Sequence, residues 1–509
     1  YITVVSNLSS YLGNEETLVE LPAIQYIKEK LGYEFIPGDQ LTPEQGERDS
    51  MTEVILVKRL ERSLKRLNPW MDESNVNKAV RLLTRPENLG ANLLEINEKI
   101  YDVLVNLTFA LEQDLDGSGQ KKYHTVKFID WENPSNNEFL VTRQFKIRGP
   151  NEKAIPDIVL FVNGIPVVVL ECKSPFLEKS KNENMGKYEA YEQLRRYMDA
   201  RGSEKVEGVP RLFYTNFFTG ILNKYHAYAG TISSKYGHYL EWKDPYPFKK
   251  ESIEDVENNG QNLFLQGLLE KNNLLDVMRN FILFEADSES GTKVKKLCRY
   301  QQYRAVNKAL DRLIHGKDSI SRGGVVWHTQ GSGKSLTMVF LARKIRRIPE
   351  LMDATIVVVT DRIDLDKQIY NTFVRTLSSI TTPVRAESVS ELKDLLSKAQ
   401  PQIIMTTIHK FQSEKEDTII LNDKNQGKAL VFDKEFPVLT TKSNVIVLAD
   451  EAHRSQYTGM AKNMRDALPN AAFIGFTGTP IDREDKSTPR TFGSYIDKYS
   501  IQQAWILLL

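Results

Sequence analysis

Residues 324–335 read GVVWHTQGSGKS. A short apolar strand over 325–327 runs into a loop that ends in Gly-Lys-Ser, and a helical pattern follows. The residues assigned to a bound nucleotide are Gly331, Ser332, Gly333, Lys334 and Ser335. The glycines let the backbone wrap a phosphate, Lys334 can reach the β- and γ-phosphates, and the Ser335 hydroxyl can hold Mg²⁺. An ordinary glycine turn before a helix does not account for Gly-Lys-Ser at this junction. His328 stands where the loop usually has its first glycine.

Further apolar strands alternate with helical segments around this loop. They read TIVVVT (355–360), QIIMTT (402–407), NVIVLAD (444–450) and AAFIGFTG (471–478). Strands that are apolar on both faces and separated by helices are typical of a buried parallel sheet. The second half of the chain is therefore predicted to be an α/β, doubly wound parallel-sheet domain.

An acidic pair, Asp450-Glu451, follows the strand NVIVLAD. A carboxylate at the carboxyl end of a buried strand lies beside the phosphate loop, where Asp450 can complete the Mg²⁺ shell. Glu451 is then placed to polarise the attacking water. Acidic residues at strand ends are common in loops, so this assignment depends on the phosphate loop upstream.

These segments resemble the motifs of superfamily-2 helicases. HTQGSGKS, DEAH (450–453) and TGTP (477–480) resemble motifs I, II and III, while 358–368 and 403–412 resemble motifs Ia and Ib. The resemblance implies a RecA-like domain that binds ATP and a nucleic-acid backbone. It also makes Gln302, in RYQQY, the adenine reader, although an ordinary polar helix residue would look the same. The family's motor has a second RecA-like lobe with an arginine finger. That lobe is expected to be absent here, which predicts poor ATP turnover by the chain alone.

A carboxylate pattern in the first half points to a second site. Residues 156–174 read PDIVLFVNGIPVVVLECKS, with two apolar strands flanking Asn-Gly, the strongest short hairpin signal. A two-residue loop would put Asp157 and Glu171 on opposite faces, whereas a three-residue loop would bring them directly opposite each other, with Lys173 on the same face. Two carboxylates and a lysine on one face suit a hard cation such as Mg²⁺. A solvated hairpin end with a stray ion pair is the simpler alternative, but the apolar neighbourhood makes bare charges costly.

The same residues resemble the PD-(D/E)xK nucleases. Gln193 and Tyr197, in QLRRY on a predicted helix, resemble the QxxxY motif of a subset of that family. The resemblance implies a further acid from the first helix. A helix is predicted over 16–31, with Pro22 near its first turn, and Glu20 is the candidate with Glu16 close behind.

The whole chain has 509 residues, with 68 Lys and Arg against 67 Asp and Glu, so net charge gives no argument for DNA binding. Two cysteines, Cys172 and Cys298, have no neighbours at metal-ligand spacing, which disfavours disulfides and zinc and favours a cytoplasmic protein. No segment reads as membrane-spanning. A polar stretch near 241–262 suggests a seam between an endonuclease domain (1–255) and a motor domain (256–509).

A PD-(D/E)xK nuclease upstream of a DEAH motor resembles the restriction subunit of type I restriction-modification enzymes. The resemblance implies ATP-driven translocation of double-stranded DNA, Mg²⁺ at both sites, and methylation and specificity subunits as partners. The chain is then expected to be an N-terminal fragment, although its tail after Ala504 is unlike that family. A stand-alone repair or recombination helicase-nuclease, a binding module whose ATP site only switches conformation, and an RNA helicase remain as alternatives.

Overall fold

The computed structural model describes residues 14–114, 120–176, 185–286, 291–360, 363–377, 380–398, 400–411, 415–421, 427–433, 436–450, 457–478 and 492–500. The chain divides into two compact units, Tyr1–Tyr300 and Gln301–Leu509. This division lies later in the chain than the predicted seam after residue 255. Residues that follow the seam contact earlier parts of the first unit. Tyr26 Oη donates to Gln266 Oε1 at 2.8 Å, and Lys295 Nζ donates to Asn97 Oδ1 at 2.8 Å.

The first unit contains helices and strands in alternating groups. Its helices are α1 (Leu21–Glu29), α2 (Val57–Leu67), α3 (Glu73–Thr84), α4 (Leu93–Val105), α5 (Met185–Tyr197), α6 (Gln261–Leu269) and α7 (Lys271–Asn280). Its strands are β1 (Glu34–Phe35), β2 (Ala110–Asp114), β3 (Lys121–Thr125), β4 (Phe139–Arg143), β5 (Ile147–Arg148), β6 (Lys153–Ala154), β7 (Ile158–Val162), β8 (Ile165–Cys172), β9 (Phe218–Leu222), β10 (Ala227–Gly230), β11 (Leu240–Glu241), β12 (Ile282–Ala286) and β13 (Lys293–Leu297). A π-helical turn over Glu16–Glu20 runs directly into α1, and Pro22 is the second residue of α1. The predicted early helix is confirmed.

The main sheet of the first unit has the strand order β1-β4-β7-β8-β9-β10-β11. It is mixed, because β7 and β8 pair antiparallel while β8 and β9 pair parallel. Every residue of β7 and β8 is buried. The crossover from β8 to β9 contains α5, as a parallel connection requires. The predicted mixed sheet with flanking helices is confirmed.

The hairpin between β7 and β8 differs from the predicted register. Val162 pairs with Ile165, so the loop has two residues, and Asn163 and Gly164 have φ values of 53° and 78°, the signature of a type I′ turn. Of the two loops that the sequence allows, the two-residue loop is therefore the one that forms. A β-bulge between Leu160 and Phe161 shifts the pairing, so that Ile158 lies opposite Leu170. Continued by one residue, this register sets Asp157 opposite Glu171. The bulge therefore gives the alignment of the two acids that a three-residue loop would have given.

The second unit alternates helices and strands. Its helices are α8 (Tyr300–His315), α9 (Lys334–Ile345), α10 (Ile363–Leu377), α11 (Val389–Ser397) and α12 (Tyr457–Ala467). Its strands are β14 (Gly324–His328), β15 (Thr355–Thr360), β16 (Val384–Arg385), β17 (Ile403–Thr407), β18 (Lys415–Leu421), β19 (Gly427–Asp433), β20 (Val445–Asp450), β21 (Ala472–Thr477) and β22 (Tyr495–Tyr499). The strands β18 and β19 form a separate antiparallel pair.

The large sheet of the second unit has the order β16-β17-β15-β20-β21-β14-β22, and its pairs are parallel. All residues of β15, β20 and β21 are buried. The core on one side of the sheet contains Val325, Val357, Ile404, Val447 and Phe473. This is the predicted doubly wound parallel-sheet architecture. None of the described helices is both long and apolar enough to cross a bilayer.

Candidate functional sites

Asp157, Glu171 and Lys173 meet at one end of the hairpin in the first unit. The Asp157 carboxylate accepts a hydrogen bond from the backbone N–H of Cys172 at 2.7 Å. Lys173 Nζ lies 3.3 Å from Glu171 Oε1 and donates to the carbonyl of Cys172 at 2.8 Å. Asp157 and Glu171 are 8% and 2% exposed, so both carboxylates are held out of water. The structure therefore brings together the three residues that the sequence pattern predicted.

Glu20 joins this group through one intermediate side chain. Gln144 donates from the same amide nitrogen to Glu20 Oε2 and to Asp157 Oδ1, both at 3.1 Å. Arg143 donates to Glu20 at 2.6 Å and also contacts Glu16. Glu20 is therefore the closer of the two predicted acids to the carboxylate pair, and Glu16 lies further out on Arg143.

The electrostatics of the group favour protonation. Burial, with Asp157 beside it, raises the pKa of Glu171 well above its ordinary value, and Lys173 only partly opposes this. Burial also raises the pKa of Asp157 and of Glu20. For Lys173, burial acts to lower the pKa, but the neighbouring carboxylates of Glu171, Glu15 and Asp157 outweigh it and the pKa is raised. The site thus has three buried carboxylates, those of Asp157, Glu171 and Glu20, beside the cations Lys173 and Arg143.

This group of charges bears on whether the site can hold a metal ion. In the part of the chain that the structure describes, no group of three or more His, Cys, Asp or Glu side chains is placed so that it could hold a metal ion by itself. Mg²⁺ does not need one, because it usually binds through one or two carboxylates together with waters and substrate phosphates. Asp157 and Glu171 fit this mode, and Glu171 Oε2 is buried without a hydrogen-bond partner among the described residues. Bound there, Mg²⁺ would stabilise charge on a phosphodiester and activate water.

Gln193 and Tyr197 lie on the same face of α5, as their spacing predicted. Gln193 Nε2 donates to Tyr197 Oη at 2.8 Å, and Tyr197 Oη donates to the carbonyl of Ile155, two residues before Asp157, at 2.9 Å. A groove of about 530 Å³ opens beside them. Its lining residues are Glu152, Lys153, Ile155, Gln193, Arg196 and Tyr197. The QxxxY pair therefore ties α5 to the segment that carries Asp157 and forms one wall of a groove.

The phosphate loop of the second unit has the expected strand–loop–helix geometry. Gly331 and Gly333 have φ values of 79° and 86°, which favour glycine, and a Cβ at Gly331 would meet nothing within 4 Å. The backbone at Gly331 is therefore open in front of α9, which begins at Lys334, whereas a Cβ at Gly333 would meet Gln302 Nε2 at 2.5 Å. Lys334 Nζ lies 3.4 Å from the carbonyl of His328. Ser335 follows in the first turn of the helix. Open backbone at a helix N-terminus is a natural phosphate site.

The remaining predicted residues of the second unit are placed as follows. Asp450 is buried at the end of β20, and the sheet register sets it level with Phe476 of β21 and Val326 of β14, two strands away. Gln302 is buried on α8 and donates to the carbonyl of Gly333 at 2.9 Å, so its side chain contacts the loop itself. Glu451 and the residues after Gly478 in TGTP lie outside the described residues.

Sequence reasoning missed several residues of the first site. Glu15 lies 3.7 Å from Lys173, while Arg143 and Gln144 bridge the acids of the first helix to Asp157. No local pattern singles them out, because they come from elements far apart in the chain. The one structural sign is that Gln144 has a φ of 54°, a strained conformation for a residue other than glycine.

A parallel-sheet domain with a phosphate loop, joined in one chain to a carboxylate–lysine site on a mixed sheet, defines a nuclease-like unit fused to a helicase-type ATPase unit. Residues 13–238 match the family described as type I restriction enzyme R protein N terminus, and residues 301–506 match the SWI2/SNF2 ATPase family. The chain belongs to the family of type I restriction enzyme endonuclease (R) subunits.

Individual relatives agree with this assignment. The putative type I restriction enzyme MjaIXP endonuclease subunit of Methanocaldococcus jannaschii is 34% identical over 96% of this chain and 45% of that protein. The type I restriction enzyme HindI endonuclease subunit of Haemophilus influenzae is 36% identical over 94% of this chain and 44% of that protein. The chain thus spans less than half the length of these curated relatives. The UvsW helicase of bacteriophage T4 aligns with a TM-score of 0.27 at 16% identity, over 42% of this chain and 64% of that one.

Proposed function

We propose that the chain supplies the nuclease and the first motor lobe of a type I restriction endonuclease. In this proposal the second unit uses ATP hydrolysis to move double-stranded DNA, and the first unit cuts DNA at a Mg²⁺-dependent site. The observation that carries the proposal is the carboxylate pair Asp157 and Glu171, which is buried beside Lys173, with Glu171 Oε2 without a hydrogen-bond partner among the described residues. It lies in the same chain as an open phosphate loop.

At the nuclease site each residue has a distinct role in the proposal. Asp157 and Glu171 hold Mg²⁺, and Lys173 orients the nucleophilic water or neutralises charge on the phosphodiester. Glu20 extends the acidic group through Gln144. Gln193 and Tyr197 fix the segment before Asp157, and the groove beside them has a size suited to part of a nucleic-acid strand.

At the motor site the loop residues 331–335 bind the phosphates of ATP. Lys334 contacts the terminal phosphates, while Ser335 and Asp450 hold Mg²⁺. Glu451 is the proposed base that polarises water, and Gln302 is proposed to read adenine. The contact of Gln302 with the Gly333 carbonyl supports a position at the edge of this site. DNA contacts of the motor are expected to be mainly to the phosphate backbone.

The proposal includes partners and a compartment. Methylation and specificity subunits are the proposed partners, with recognition of the DNA sequence residing in the latter, and the naming of relatives as endonuclease subunits supports a multi-subunit enzyme. The two cysteines of the chain, Cys172 and Cys298, are both buried, and a reducing cytoplasm is the proposed compartment. A stand-alone repair or recombination helicase-nuclease is the competing function.

The test is an ATP-dependent cleavage assay on circular plasmid DNA. It uses the subunit that contains this sequence, with and without methylation and specificity subunits. Cleavage that requires ATP, Mg²⁺ and both partners, and that is lost in Lys334→Ala and in Lys173→Ala, is the expected result. Cleavage without partners would favour the stand-alone helicase-nuclease instead.

Matched lysine variants control for a general loss of positive charge. Lys317→Ala removes an exposed lysine of the second unit, and Lys205→Ala removes an exposed lysine of the first. Both are expected to cut at the rate of the unchanged protein. If Lys173→Ala cuts as well as Lys205→Ala, the proposed nuclease site is wrong, whereas equal cutting by Lys334→Ala and Lys317→Ala would overturn the proposed motor site.

A further inference from the structure

His328 occupies the position at which the phosphate loop usually begins with glycine, and its side chain is fully buried. Its Nε2 atom lies 2.8 Å from Asp497 Oδ2. Its Nδ1 atom has no hydrogen-bond partner in the described part of the chain. The imidazole is therefore held from one side, by an acidic residue of β22 that neighbours β14 in the sheet.

Asp497 is the centre of an ionic cluster. Arg304 donates to it from Nε at 2.8 Å and from Nη2 at 3.0 Å, and Lys308 donates from Nζ at 2.9 Å. The Asp497 side chain is 2% exposed. Burial acts to raise the pKa of Asp497, but the hydrogen bonds from His328 and Arg304 outweigh burial and hold it well below its usual range. Asp497 is thus a fixed anion that binds His328 on one side and α8 on the other.

The same helix contacts the far end of the loop. Gln302, two residues before Arg304 on α8, donates to the carbonyl of Gly333 at 2.9 Å. The first residue of the loop is therefore tied to α8 through Asp497, and its last glycine is tied to α8 through Gln302. Lys334 Nζ contacts the carbonyl of His328, so the main chain of His328 also touches the residue that is proposed to meet the phosphates.

We propose that Asp497 is a positioning residue of the nucleotide site, which acts through His328 to hold the start of the phosphate loop in register with α8. The inference rests on the proposed binding of ATP at this loop. A purely structural cluster would join β22 to α8 without affecting the loop. The two roles differ in whether the effect of Asp497 on nucleotide binding depends on His328.

A double-mutant cycle tests this dependence. Affinity for a fluorescent ATP analogue with Mg²⁺ is measured for the unchanged chain, Asp497→Asn, His328→Gly and the double variant. Asp497→Asn is expected to weaken binding about tenfold, the size of one lost charge-assisted hydrogen bond. In the His328→Gly background, where the loop has its usual glycine, the same change is expected to alter binding less than about twofold. An equal loss in both backgrounds would overturn the inference.

Two further arms keep the outcome clear. Lys308→Ala removes one partly exposed cation from Asp497 and is expected to weaken binding in the same direction by a smaller factor, even if Asp497→Asn folds poorly. Amide hydrogen exchange over residues 329–333, measured without nucleotide, should be faster in Asp497→Asn than in the unchanged chain. The exchange rates of His328→Gly and of the double variant should be the same. Unchanged exchange in Asp497→Asn refutes the positioning role. If the unchanged chain does not bind ATP, and its affinity is indistinguishable from that of Lys334→Ala, the proposed motor site is refuted instead.

Discussion

Replacing Glu171 by glutamine should stabilise the metal-free protein, although the residue is proposed to be essential for cleavage. Glu171 is 2% exposed, and its Oε2 atom has no hydrogen-bond partner among the described residues. The charged groups that act on it are Asp157 and Glu15, which repel a negative charge, and Lys173, which attracts one. Glutamine keeps the shape of the side chain and removes the charge that burial penalises.

The sign and size of the effect follow from proton linkage. Because the pKa of Glu171 is raised in the folded state, the stability it contributes is fully present below its ordinary value of 4.5 and is lost as pH rises toward the folded value. The loss for one proton is at most about 1.4 kcal/mol per pH unit. Glutamine has no such dependence. The stability advantage of Glu171→Gln should therefore widen with rising pH, by up to about 3 kcal/mol across two pH units.

The assay is urea unfolding in the presence of a chelator, at several values between about pH 5 and pH 8. Glu189→Gln, an exposed acid on α5, serves as the matched control and should show no widening advantage. The reasoning would be refuted if the difference in the free energy of unfolding between Glu171→Gln and the unchanged protein stayed constant or became smaller with rising pH. Loss of plasmid cleavage in the same variant would show that the unfavourable charge is retained for function.

Three further outcomes are expected. Gly164→Ala should cost about 2 kcal/mol or more of stability, because φ is +78° and the new Cβ would lie 2.5 Å from the Leu56 carbonyl oxygen. The control Gly202→Ala, where φ is +77° and nothing lies within 4 Å, should cost about 1 kcal/mol. Equal losses of stability in thermal unfolding would contradict this prediction. Tyr197→Phe removes the donor to the Ile155 carbonyl and should slow cleavage about tenfold without weakening DNA binding, which unchanged cleavage rates would disprove. Burial lowers the pKa of Lys295 well below its ordinary value of 10.5, so its contribution to stability falls as pH falls; relative to Lys295→Met, the unchanged protein should gain up to about 1.4 kcal/mol per pH unit as pH rises above neutral, and a flat difference in urea unfolding would exclude this.

Local pattern predicted much of the fold. The strands of the second unit could be read from the sequence because a buried parallel strand is apolar on both faces. Their order in the sheet, with β14 between β21 and β22, is not written in any one strand and depends on how distant segments pack. The phosphate loop was also predictable from a local pattern, since its glycines, lysine and serine lie close together in the sequence, within residues 331–335.

The carboxylate site shows where local reasoning stops. The spacing of Asp157, Glu171 and Lys173 predicted that the three residues meet. They meet through a β-bulge and not through a three-residue loop. The bulge that aligns them leaves Val167 as an extra residue, and its carbonyl accepts hydrogen bonds from Phe217 N at 2.8 Å and Asn216 Nδ2 at 3.4 Å. Those partners come from the segment before β9, about fifty residues later in the chain. Because the bulge is stabilised by a distant element, the hairpin sequence alone could not reveal it.

Two buried carboxylates in this chain differ in a way that separates their roles. Asp497 is paired with Arg304 and Lys308, and its pKa is held low. Glu171 is buried to the same degree, and burial together with the Asp157 carboxylate raises its pKa, while among the described residues Lys173 is the cation that pairs with it. Asp497 already has its positive partners and can hold other residues in place. Glu171 still lacks positive charge, which a divalent cation would supply, and this makes it the better candidate for a metal ligand.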